Sequence, residues 1–429
     1  MWETLKNAWR IKDIRKKLLY TFCMLLLFRL VSVIPAPGVN ATAVQNAIKG
    51  LDVLNLVNMM TGNAFSQMTI MAMGITPYIN ASIIMQLLAV AIPALERMTK
   101  DGGEEGRKKM NRITRYVTVA LAILQSVGII MTLNRTPAVD GATVLNPSYN
   151  NFWGYTVIAM VMAGGTSLAV WIGDRITAKG IGNGISLLIF VGIVSNLATG
   201  IISTVSGVFS GTPNALRNLI VILLTTVVII AVVTFVDMAE RRIQVQYAKR
   251  VVGRTMYGGQ STHIPMKLLA VGVLPLIFAY SFLAFPGTIL AMIPAAKGAS
   301  DWWQANMNQT SWLYAVICAL LIIGFSYFYS AISFNPDDIS KNIQQQGGHI
   351  PGVRPGTATT MYLKRTSKRL TLFAAIFLAI LATVPTLFWG ANISIPFGAS
   401  SILIAVQVAL ETMRQLEGQM VMRHYKGFL

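Results

Sequence analysis

Three histidines (His263, His349, His424), two cysteines (Cys23, Cys318) and 16 Asp and Glu are the side chains of this 429-residue chain suited to moving protons, attacking a carbonyl or holding a metal. Their placement argues against each of these. The histidines fall in polar, basic connecting segments, and no acidic residue lies in the middle of an apolar run; Asp237 and Glu411 come nearest, at run ends. A Ser-His pair for hydrolysis within a membrane, a His-based metal site and a carboxylate proton relay are excluded together. Cys23 and Cys318 stand in apolar runs with no Cys or His at ligand spacing, so they read as buried thiols. The stretch GIGNGIS at 180–186 contains Gly-x-Gly-x-Gly. A dinucleotide site needs a strand before that pattern, whereas here an apolar run follows it, so it reads as a flexible entrance to a span. No catalysis and no cofactor are expected.

Two of the polar residues inside apolar runs stand out. Arg29 is the one clear charge, placed to reach an interface or to cap carbonyls, and Gln86 in ASIIMQLLA suits interhelical hydrogen bonding. Four Asn-x-Ser/Thr matches (Asn40, Asn134, Asn308, Asn392) are short enough to arise by chance.

The elements that would carry these residues are membrane spans. A hydrophobic fraction of 54%, 12% charged residues and a mean hydropathy of +0.59 lie far from the balance of a soluble domain. With about 20 apolar residues per span, ten candidates emerge: 18–35, 68–93, 114–132, 153–172, 184–204, 217–236, 265–288, 311–332, 371–389 and 395–413. Most Lys and Arg fall in the N-terminus, the alternate connections 94–113, 173–183, 237–264 and 333–370, and the tail. Only Lys49, Arg135, Arg217 and Lys297 lie in the other set. Positive residues stay on the cytoplasmic side, so both termini and the larger basic loops are expected in the cytoplasm. The net charge of +19 follows from that sorting, although a basic face also suits anionic lipid or ribosomal RNA. The N-terminus resembles a signal peptide in its basic-then-apolar order, but Arg29 interrupts the run and no Ala-x-Ala follows, which favours a retained first span. Residues 1–17 suit an amphipathic helix on a lipid surface.

AMGITPYINAS at 72–82 and AVGVLPLIFAY at 270–280 share the pattern Ala-x-Gly-(Ile/Val)-x-Pro-x-Ile-x-Ala. Each opens the second span of a five-span half, 18–204 or 205–413. An odd number of spans per half inverts the second relative to the first, around a path near the midplane. Gly74, Pro77, Gly272 and Pro275 should weaken the helical ladder where the backbone is shielded by protein or water. Stepping four residues from Ile75 gives Ile79, and the second copy offers Val273 and Ile277, so the path is lined by branched aliphatic side chains unless these face lipid. Residues 51–67, LDVLNLVNMMTGNAFSQ, are too broken by Asn, Gly and Ser to face lipid, and suit either a loop helix or a re-entrant segment. A greasy constriction without an engine blocks ions by dewetting and leaves energy to a partner.

The chain resembles the SecY family of protein-conducting channels through FRLVSVIPAPGVN (28–40), GITPYINASII (74–84), GEEGRKKMNRITRY (103–116), KGIGNGISLLIF (179–190), RRIQVQYAKR (241–250), STHIPMKLLAVGVLP (261–275) and PGVRPG (351–356). The resemblance implies an all-α membrane protein of ten helices in two inverted halves around an hourglass pore. It also implies a pore ring of Ile75, Ile79, Ile185, Ile189, Ile277 and Ile404, and a plug at 51–67 including Asn55, Asn58, Met59, Met60, Gly62 and Phe65. The second and seventh spans would form a lateral gate with Pro77, Gln86, Pro275 and Phe285, their Gly/Pro entrances giving bend and play. Arg241, Arg242, Lys249, Arg250, Arg254 and Arg354 would dock a motor or ribosome, with Thr255 where some relatives carry a basic residue. The implied partners are SecE-type and SecG-type small membrane subunits, a SecA-type motor ATPase, the ribosome, preproteins bearing signal sequences, and anionic lipids. The implied place is the bacterial plasma membrane, with 1–17 and the tail 414–429 in the cytoplasm. The rival reading is a solute transporter built on the same inverted repeat; a structural subunit stands third.

Overall fold

The computed structural model describes residues 6, 8–48, 58, 61–100, 102–135, 144–210, 215–247, 250–252, 255–257, 261–292, 297–307, 311–390 and 399–426. Its helices are α1 (Lys12–Val31), α2 (Ala41–Ile48), α3 (Thr76–Ala91), α4 (Pro93–Lys100), α5 (Gly103–Arg135), α6 (Phe152–Lys179), α7 (Gly184–Phe209), α8 (Ala215–Met238), α9 (Leu274–Met292), α10 (Lys297–Asn306), α11 (Trp312–Ser333), α12 (Pro336–Gln345), α13 (Thr357–Gly390) and α14 (Ala399–Lys426). Helix overlaps each of the ten sequence-predicted spans. Among the described residues, six stretches are long and apolar enough to cross a membrane. The bent pair α3–α4 makes a seventh, and α9 holds a shorter apolar stretch, Leu274–Leu283. The bend is 107° and sits at Ile92, whose extended φ of −108° and ψ of 112° are what Pro93 imposes on its predecessor.

The same packing order occurs twice. α5 packs between α3 and α6, and α11 packs between α9 and α13; α6 meets α7, and α13 meets α14. The halves join where α7 packs on α14 and α8, and where α9 packs on α5. Each half has its own apolar core. Phe65, Met68, Met73, Ile130, Leu133 and Met162 belong to the first, and Leu276, Leu283, Ile322, Leu378 and Leu403 to the second.

A small sheet joins the mostly helical body. Strand β1 (Glu240–Tyr247) pairs antiparallel with β4 (Ser261–Lys267), from Glu240 opposite Lys267 to Gln246 opposite Ser261. Between them lies the short hairpin of β2 (Arg250–Val252) and β3 (Thr255–Tyr257). On its other edge β1 pairs with β5 (Gly348–His349), so the loops 237–264 and 333–370 form one unit in the order β4-β1-β5. Ile243, Val245, Met266, Ile343, Ile350 and Leu363 give it a core of its own.

Several expectations change. The second and seventh spans do not begin at 68 and 265. Residues 62–75 are mainly turns before α3, and 265–267 finish β4 before a turn leads into α9. Cys318 is buried but Cys23 is exposed, on the outward face of α1. In the N-terminal segment Ala8 and Ile14 are buried against Ile181 and Leu416, Lys17 Nζ donates to Gln419 Oε1 at 3.1 Å, and Trp9 is exposed.

Candidate functional site

Both Gly/Pro motifs start a helix. Gly74 and Gly272 lie at φ +50° and +63°, the left-handed region that glycine enters without a Cβ penalty. Their N–H groups donate to Met71 O at 2.8 Å and Leu269 O at 3.1 Å, residues that are themselves one repeat apart. Pro77 and Pro275 then take the second helical position, where a missing N–H leaves no partner unsatisfied. The next turn repeats as well, with Ile79 N–H donating to Ile75 O at 3.0 Å and Ile277 N–H to Val273 O at 3.1 Å. The expected weakening of the ladder at these prolines is therefore not found. The proline inside α9 is Pro286, which deprives the Phe282 carbonyl of its helical donor.

One apolar cluster collects all six predicted isoleucines. Ile75, Ile189, Ile277 and Ile404 are buried in it with Phe28, Met71, Leu188 and Val408, while Ile79, Ile185 and Val273 pack against it partly buried. Four separate elements contribute: the α3 start, α7, α9 and α14. GIGNGIS supplies the α7 position by a tight geometry, not a flexible one. Gly182 sits at φ +85°, Asn183 Oδ1 caps the N–H groups of Ile185 and Ser186, and a Cβ on Gly184 would strike the Gly173 carbonyl of α6. Ile185 and Ile189 are thereby held in register with the cluster.

The segment leading to α3 sits against α1 and α7. Arg29 Nη1 donates to Gly62 O at 2.9 Å, Asn196 Nδ2 to Asn58 O at 3.0 Å, and Asn63 Nδ2 to Thr199 Oγ1 at 3.4 Å. Gly62 is buried, and Phe65 is enclosed in the first-half core. Asn55, Met59 and Met60 lie outside the described residues. Arg29 caps a carbonyl, one of the two uses its position suggested.

Gln86 is exposed on α3 and its Nε2 donates to Ser82 Oγ at 3.4 Å. It lines a groove of about 730 Å³ with Val90, Glu96, Tyr329, Lys364 and Lys368, from α3, α4, α11 and α13. Beside it α9 touches α3 and holds α11 through edge-on rings, Phe278 to Phe325 at 5.8 Å and Phe282 to Phe325 at 6.2 Å. The side chain of Phe285 is not among those described.

The basic residues divide over the sheet unit. Arg241 and Arg242 are exposed on β1, Arg242 Nε donating to Glu240 Oε1 at 2.7 Å. Arg250 is on β2, opposite Tyr257, its side chain not described; Lys249 and Arg254 lie outside the described residues. Arg354 is exposed between Gly352 at φ +79° and Gly356 at φ +94°. Its turn is held by Thr359 Oγ1 donating to Arg354 O and Ser340 Oγ to Gly356 O, both at 2.9 Å.

Sequence reasoning did not identify Asn196 and Thr199 as partners of the 58–66 segment, nor the pairing of Arg414 Nη2 with Asp237 Oδ2 at 3.0 Å. That ion pair ties α14, the helix of Ile404, to the end of α8 where β1 begins. The only signal was a lone polar residue in each apolar run or at its end.

The SecY family model matches residues 69–413. The protein translocase subunit SecY of Halalkalibacterium halodurans is 41% identical over all of both chains, and that of Streptomyces galbus 41% identical over 99% of this chain and 98% of its own. Among solved structures, one described as a protein conducting channel aligns with a TM-score of 0.64 at 18% identity, covering 94% of this chain and 92% of its own. A SecY structure concerned with a plug domain that stabilises the closed state aligns at 0.67 and 18% identity with the same coverage. Sec61 from a canine ribosome-channel complex aligns at 0.60 and 17% identity, again covering 94% and 92%. With its apolar helices, this is a multi-pass membrane protein, and the chain belongs to the SecY family.

Proposed function

We propose that the chain is the pore-forming subunit of a protein translocase, moving unfolded secretory proteins across the plasma membrane and releasing apolar segments sideways into it. The observation that carries this reading is the collection of Ile75, Ile79, Ile185, Ile189, Ile277 and Ile404 into one cluster from four elements of both halves. A ring of branched aliphatic side chains seals by dewetting, yet yields to a passing chain because it is held by dispersion contacts and not by directional bonds. Ten crossings in two inverted halves would surround it, with 51–67 as the plug on the external side.

The α3 and α9 sides form the gate, with Gln86, Pro77, Pro275 and Phe285 along it. A signal sequence wedging there gains roughly 25 cal/mol per Å² of apolar surface removed from water. The sheet unit faces the cytoplasm together with both termini. Arg241, Arg242, Lys249, Arg250, Arg254 and Arg354 meet a SecA-type motor or a ribosome, whose binding biases a two-state gate. SecE-type and SecG-type subunits and anionic lipid complete the assembly, and the chain itself hydrolyses nothing. Ile189→Asn and Ile404→Asn test this: both should raise ion leak and let preproteins with defective signals through. Unchanged leak and unchanged export in both variants would remove the ring assignment.

A further inference from the structure

Asn58 ties back onto the residues that follow it: its Oδ1 accepts from the Ser66 N–H at 2.9 Å, and its Nδ2 donates to Asn63 Oδ1 at 3.1 Å. The two ends of the segment 58–66 are held differently. Phe65 is fully buried in the first-half core, whereas the 58–62 end is held through backbone carbonyls, Gly62 O by Arg29 of α1 and Asn58 O by Asn196 of α7. Gly62 allows this approach: at φ +65°, a Cβ there would lie 2.9 Å from Arg29 Nη1 and 3.1 Å from Gly192 Cα. Among the described residues, none from 58–66 belongs to the isoleucine cluster, which begins in this region at Met71.

We propose that Arg29 and Asn196 form a two-point latch on the plug, so that opening releases the 58–62 end and pivots the segment about Phe65. The inference rests on reading 51–67 as a plug. A guanidinium bond to a carbonyl is charge-assisted and strong where water is excluded, yet both groups regain water once the segment leaves, which makes the latch reversible. Both grips are backbone carbonyls, beside which Asn63 Nδ2 makes a longer side-chain contact with Thr199 Oγ1 at 3.4 Å. Arg29 and Asn196 are positioning residues for gating.

The test is ion leak from proteoliposomes holding the complex of this chain with its small membrane partner, measured in the full chain and in a chain lacking 58–66. Arg29→Met should raise leak about tenfold and Asn196→Leu about threefold, while Arg29→Lys keeps most of the seal. In the chain lacking 58–66, itself leaky, neither substitution should add leak. Silent single variants beside a leaky deletion overturn the latch and leave the plug reading standing; a tight deletion overturns the plug reading. Additional leak from the variants in the deletion background overturns the latch too, because it shows that they loosen the helices. Should Arg29→Met not reconstitute, Asn196→Leu in the two backgrounds decides alone.

Discussion

The two copies of the Gly/Pro motif share their hydrogen bonds but not their surroundings. A Cβ on Gly74 would lie 2.9 Å from Thr61 Cγ2, in the segment leading to α3, whereas one on Gly272 would find nothing nearer than Gln407 Oε1 at 3.6 Å. The first entrance is reached from the turns at 62–75 and the second from β4 of the sheet. Along α1, Lys17 donates to Gln419 of α14 and Arg29 to the Gly62 carbonyl. Twelve helical residues separate the two, about 18 Å. One way of starting a helix serves both entrances, once behind the turns at 62–75 and once behind the sheet.

Substitutions that treat the copies unequally test this contrast. Gly74→Ala should destabilise by about 2–3 kcal/mol, combining left-handed strain with the Thr61 contact, and Thr61→Ser should recover part of it; thermal melting of the purified protein reports both. Breaking the Asp237–Arg414 pair with Asp237→Asn or Arg414→Met should cost about 1–2 kcal/mol, moderated by the half-exposed arginine. It should slow motor-driven translocation while leaving ion leak unchanged, because it acts on the sheet side; a rise in leak would mean that the ends are not separate. Gly272→Ala, with strain but no close contact, should cost about 1 kcal/mol. Pro77→Ala and Pro275→Ala should each change stability by less than about 1 kcal/mol, and equally; an unequal pair would break the equivalence of the two helix starts.

The repeat was legible because Gly-x-x-Pro-x-Ile is a local pattern. Its meaning was misread, since a Gly before and a Pro within the first turn is also the signature of a helix start. No strand was expected in 237–264, although ERRIQVQY alternates and Ile243 and Val245 are the buried residues of β1. The ring positions other than the motif's own came from family resemblance, because Ile185 and Ile404 look like any span residue until the fold gathers them. The Asn196 and Arg414 contacts reach across 138 and 177 residues, beyond any periodicity in the chain.

The measurement that most directly tests the central claim is protease protection of a signal-bearing preprotein, added to proteoliposomes containing this chain, its small SecE-type partner and a SecA-type ATPase. Protection that requires ATP and disappears with Arg354→Glu is the predicted result, establishing an externally powered channel coupled through the Gly352–Gly356 turn. Absence of protection by correctly oriented, lipid-embedded protein would contradict it and return weight to a solute transporter.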